Sequence, residues 1–73
     1  MSKYLVTRQN ADGSYDEVGM NNCYIVSGYK TYKNAFKYGI NPFGNGRKVR
    51  VEVYGDNIHT KPFDVFEVQT RYA

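Results

Sequence analysis

From Arg47 to Tyr54 the chain alternates between two kinds of side chain. Val49, Val51 and Val53 occupy one set of positions, and Lys48, Arg50 and Glu52 the other. Successive residues of a β-strand point to opposite faces, so this pattern demands a strand with one buried and one wet face. Such a strand needs pairing partners and a layer over its valine face. Only 73 residues are available to provide them, a length at which a core is marginal. Cys23 is the single cysteine, so no intrachain disulfide assists. Eight Tyr, four Phe and no Trp make aromatic rings a main source of core. Some tyrosines remain on the surface, either as rigid interface contacts or as ordinary flanks of half-buried strands.

The N-terminal part reads as a hairpin. Lys3 to Asn10 holds the β-favouring run Tyr4-Leu5-Val6-Thr7, Asp12-Gly13 suits a type I′ turn, and Ser14 to Met20 returns. A two-residue loop sets Ala11 opposite Ser14 and Arg8 opposite Glu17, so that unlike charges face each other. Asn21-Asn22 reads as a turn and Cys23 to Val26 as a short apolar strand broken by Ser27-Gly28. A helix is expected from a Thr31 cap to Gly39 in the left-handed conformation. Tyr29, Tyr32, Ala35 and Phe36 lie on its inner face with Ile40 close by, and Lys30, Lys33 and Lys37 on another. Asn41 to Gly46, with Pro42, Gly44 and Gly46, reads as a loop. Gly55-Asp56-Asn57 is turn material, and Phe63 to Tyr72 forms a last strand. In that strand Phe63 and Val65 are out of phase with Phe66 and Val68, which predicts a bulge or burial on both faces. The expected architecture is α+β: a small antiparallel sheet of about four strands, with an N-terminal hairpin and a C-terminal strand pair, packed against one short α-helix. Residues 1–73 form a single compact domain in this reading.

Charge is distributed unevenly. Between Val18 and Val51 stand Lys30, Lys33, Lys37, Arg47, Lys48 and Arg50 with no acidic residue, while the net charge of the whole chain is +3. Such a focused positive field steers an acidic partner. The contact candidates are Lys30, Lys33 and Lys37 on the helix and Lys48 and Arg50 on the strand. If the helix covers the valine face, these two sets lie on opposite sides. Tyr4 and Arg8 enter through a second mode, in which Lys3 to Arg8 is an edge strand that adds to a partner's sheet.

Catalytic chemistry is not indicated. His59 is the only histidine, and its pairing with Cys23 as nucleophile and base has no supporting motif. Two such residues fall short of a structural zinc site, and no cofactor motif is present. Asp16 and Glu17 are adjacent, so in a strand they point to opposite faces. No leader opens the sequence and no apolar run nears the roughly 20 residues of a membrane-spanning helix, which points to a soluble, cytoplasmic protein. Nucleic acid is a possible partner for a basic surface with tyrosines, although no nucleic-acid-binding motif occurs.

The start Met1-Ser2-Lys3-Tyr4, the helix Thr31-Tyr32-Lys33-Asn34-Ala35-Phe36-Lys37-Tyr38-Gly39 and the strand Lys48-Val49-Arg50-Val51-Glu52-Val53-Tyr54-Gly55 give the chain a further likeness. In size and type it resembles small bacteriophage host-takeover proteins, in particular the Xanthomonas phage kind that binds and inhibits bacterial RNA polymerase. The resemblance implies a non-catalytic protein that binds a large host assembly, with RNA polymerase first and transcription inhibition or antitermination as the outcome. Anti-CRISPR proteins share the same size and style and are the alternative in that class. A small RNA- or DNA-binding module that uses the basic helix and strand is the other.

Overall fold

In a computed structural model of the chain, residues 2–16 and 22–72 are described. Strands β1 (Lys3–Arg8), β2 (Cys23–Val26), β3 (Lys48–Tyr54) and β4 (Asp64–Gln69) make one sheet in the order β2-β1-β3-β4. Every neighbouring pair is antiparallel. One helix, α1 (residues 32–44), lies across one face, so the α+β expectation holds.

The alternation in β3 is realised as expected. Val49 and Val51 are fully buried and join Tyr4, Val6, Val26, Ala35 and Ile40 in the core. Tyr29, Phe36, Phe43, Val53, Phe66 and Val68 pack around them. Tyr32 seals one side, its ring meeting Tyr4 edge-on at 5.7 Å and Phe66 at 5.6 Å. On the other face Leu5 and Thr7 of β1 are buried as well.

Four expectations are corrected. First, the turn at Asp12-Gly13 forms in a different register. Asn10 N–H donates to Ser14 O and Gln9 bridges Tyr15, giving a three-residue loop with Gly13 at φ 89°. A left-handed glycine closing such a loop relieves the twist that a type I turn would impose. The opposition of Ala11 and Ser14 is therefore replaced, and that of Arg8 and Glu17 lies outside the described residues, as does most of the returning strand. Second, Lys3–Arg8 is not an edge: β1 pairs with β2 on one side and β3 on the other.

Third, the helix does not end at Gly39. Thr31 caps its start as expected, accepting from Asn34 N–H at 3.3 Å. The chain then passes through a π segment (Phe36–Ile40) and a last α turn (Asn41–Gly44), so the expected loop from Asn41 onward is largely helical. In a regular α-helix Pro42 would clash with the preceding turn and lack a donor. The wider π turn accommodates it, with Asn41 N–H bonded to Phe36 O. Asn45 takes the left-handed cap at φ 46° and bonds back to Asn41 O. The residues after β4 clamp this helix end. Arg71 N–H donates to Asn41 Oδ1 at 2.7 Å, and Thr70 packs so closely on Gly44 that no Cβ fits.

Fourth, β4 is shorter than Phe63 to Tyr72 and has neither bulge nor two-sided burial. Its register with β3 is continuous from Lys48↔Gln69 to Val53↔Asp64. Phe66 and Val68 face the core, whereas Phe63 and Val65 stay exposed.

Candidate functional site: a basic helix face beside an aromatic groove

Folding separates the candidate cations. Lys48 and Arg50 project from the sheet face opposite α1, because alternate positions of β3 give its valines to the helix. Their charges are locally balanced. Lys48 Nζ lies 3.8 Å from Glu67 Oε2, and Arg50 lies 3.5 Å from Glu52 Oε1. The Arg50 guanidinium also sits 5.3 Å from the centre of the Tyr15 ring. Tyr15 in turn donates to Glu67 Oε2 at 2.6 Å. Burial, aided by the neighbouring Glu67 carboxylate, pushes the Tyr15 hydroxyl up to about 12. Tyr54 donates to Glu52 Oε2 at 2.8 Å, and its hydroxyl is raised chiefly by burial. On this face each of these two cations has a carboxylate beside it, although the buried Arg50 Nε has no hydrogen-bond partner among the described residues. The gap in acidic residues read along the chain is filled by Glu67 across the sheet on β4 and by Glu52 two residues along β3.

The helix lysines are different. Lys30, Lys33 and Lys37 are exposed, and among the described residues none of them forms an ion pair. Lys37 Nζ lies 5.2 Å from the centre of the Tyr38 ring, an attraction that orients the cation without neutralising it. Folding also adds a cation that the sequence window misses. Arg71 and Lys37 line one groove of about 450 Å³ between α1 and β4, with Phe36 and Val68 beside them. Among the described residues Lys30, Lys33, Lys37 and Arg71 are thus exposed cations that form no ion pair.

Tyr4 and Arg8 serve the fold. Tyr4 is a core residue at 6% exposure. Arg8 donates to Asn22 Oδ1 at 3.3 Å and lies 4.7 Å from the centre of the Phe43 ring, on the helix side of the sheet. The edge-strand mode assigned to them has no edge to work from. The outer strands are β2 and β4.

A second groove, of about 320 Å³, opens where β2 meets the end of α1. Two stacked aromatic pairs form its sides: Tyr24 with Phe43 at 5.2 Å, and Tyr29 with Tyr38 at 6.3 Å. Gly39 allows the helix to come this close. A Cβ there would lie 2.5 Å from Val26 Cγ1, shorter than any tolerable contact. The sequence signals only that some tyrosines stay exposed. Their pairing depends on the π segment, which no local pattern announces.

Cys23 lies on β2 with Sγ 3.3 Å from Thr7 Oγ1, and His59 is exposed between β3 and β4. Among the described residues no three His, Cys, Asp or Glu side chains converge as metal ligands, and no helix is long and apolar enough to cross a membrane. Comparison of the chain with protein-family models, with curated proteins and with solved structures finds no match.

Proposed function

We propose that this chain is a non-catalytic binding module that docks on an acidic surface of a larger bacterial protein assembly. The supporting observation is the division of charge between the two sides of the sheet. Lys48 and Arg50 are held by Glu67 and Glu52, while Lys30, Lys33 and Lys37 are exposed and form no ion pair among the described residues. A preformed, uncompensated positive face raises the rate of encounter with an acidic partner and favours one orientation of approach. Host RNA polymerase is the target named by the resemblance to phage host-takeover proteins. Binding in the host cytoplasm would then inhibit initiation or promote antitermination by shifting the polymerase among its own conformations.

Capture from nuclease-treated bacterial lysate tests this reading. Polymerase subunits are expected on the wild-type chain and not on the Lys30→Glu, Lys33→Glu, Lys37→Glu variant at low salt. Equal capture by both removes the helix face from the reading.

A second reading has one observation in its favour. Tyr24 and Tyr38 line one groove and are 51% and 58% exposed, with Lys37 beside Tyr38, a combination suited to a single-stranded nucleic acid. Partners that vanish after nuclease treatment, with affinity falling steeply in salt, would support it.

A further inference from the structure

We infer that the groove between β2 and the end of α1 binds a proline-rich, acid-bearing extended segment of a partner protein. The inference rests on the chain being a protein-binding module, but it concerns a separate surface.

A polyproline II segment has a definite chemistry. Its backbone makes no internal hydrogen bonds, its prolines offer no N–H, and its carbonyls point outward for donors. A receptor must therefore present aromatic ridges and hydrogen-bond donors. This groove has both. The pairs Tyr24–Phe43 and Tyr29–Tyr38 form two ridges, with the buried Val26 and close-packed Gly39 beneath. Its hydroxyls are those of Tyr24, Tyr29, Tyr38 and Ser27. Among the described residues none of the four is hydrogen-bonded within the chain. The hydroxyls of Tyr15 and Tyr54, in contrast, are engaged by carboxylates. Four such donors thus meet at this one groove.

Charge specifies the partner further. No carboxylate lines the groove, Lys37 lies against Tyr38, and the Arg8 guanidinium lies against Phe43. A segment with Asp or Glu beside its prolines complements both cations. A stacked nucleobase fits less well, since it needs an open ring face. Phe43 is already stacked with Tyr24 at 5.2 Å and has the Arg8 guanidinium 4.7 Å from its centre. A proline strand uses ridge edges and hydroxyls.

The test is a titration of the isotope-labelled chain, followed by nuclear magnetic resonance, with a decaproline peptide and the same peptide carrying two glutamates. Amide shifts confined to Tyr24, Ser27, Gly39 and Phe43 are expected, with the glutamate peptide binding about threefold or more tightly. Tyr24→Ala and Tyr38→Ala are expected to weaken it about tenfold. Tyr38→Phe, which keeps the ring and removes the donor, is expected to lose about threefold and guards against a misfolded alanine variant. The inference is overturned if neither peptide shifts these amides, if an acidic Gly/Ser peptide binds equally well, or if oligothymidylate occupies the groove more tightly. Purified chain and synthetic peptide are used throughout. Failed capture from lysate therefore does not decide this result, nor does a failed titration decide the role of the helix lysines.

Discussion

Gly39 can serve two different purposes, and a pair of substitutions separates them. As a left-handed helix terminus it would tolerate Asn and resist Ala mildly. As a contact residue it resists any side chain. Its φ is not in the left-handed range, and a Cβ would strike Val26. Gly39→Ala is therefore expected to destabilise the chain by about 1–3 kcal/mol, although alanine is the better helix former. Gly39→Asn should be no better, and urea unfolding of both variants decides it. Tyr15 permits a test on the other side of the sheet. Its raised hydroxyl means that the folded state favours the protonated form. The resulting stabilisation is complete below the ordinary tyrosine value of 10 and is lost as pH rises toward about 12. Ultraviolet titration should find late-ionising tyrosines, with Tyr15→Phe removing the component near 12 while the raised Tyr54 and Tyr32 remain. Glu67→Gln should lower the Tyr15 midpoint by removing the neighbouring negative charge.

At the scale of the element, α1 begins on a local signal and ends on a distant one. Thr31→Ala is expected to cost about 0.5–1 kcal/mol, with Thr31→Ser recovering most of it, by thermal unfolding. The 3.3 Å length of the cap bond places the loss at the lower end. This start was legible in sequence because a cap is an interaction across three residues. The end was not. Pro42, Gly44 and Gly46 are equally consistent with a loop, and what makes 41–44 helical is Thr70 against Gly44 and Arg71 bonded to Asn41. The strands divide in the same way. Alternation located β3, and an apolar run between turn signals located the short β2, but the interior placement of β1 depends on partners up to some fifty residues away. The site followed suit. The helix lysines were visible as a spacing, whereas Arg71, the aromatic groove and the pairing of Lys48 with Glu67 all arise across the fold.

For the whole molecule, the relevant comparison is between one core contact and total stability. A chain of this length has roughly 4–11 kcal/mol in all. Val51 is fully buried on the central pair of strands, opposite Val6 and Phe66. Val51→Ala removes two methyl groups and opens a small cavity, for an expected loss of about 2 kcal/mol. That fraction is large enough to appear as a lower urea midpoint and a reduced yield of folded protein. The exposed Lys30, Lys33 and Lys37 carry no such weight. Their reversal should leave the unfolding midpoint nearly unchanged, which makes binding experiments on that variant interpretable.

The interior position of β1 also has a consequence in time. During synthesis Lys3–Arg8 leaves the ribosome ahead of its β2 neighbour, yet the strand on its other flank ends only at Tyr54. Until then Val6 has no Val51 to face, and no fragment short of β3 holds a closed sheet. The nascent segment must therefore remain open until β3 has emerged and condense only then.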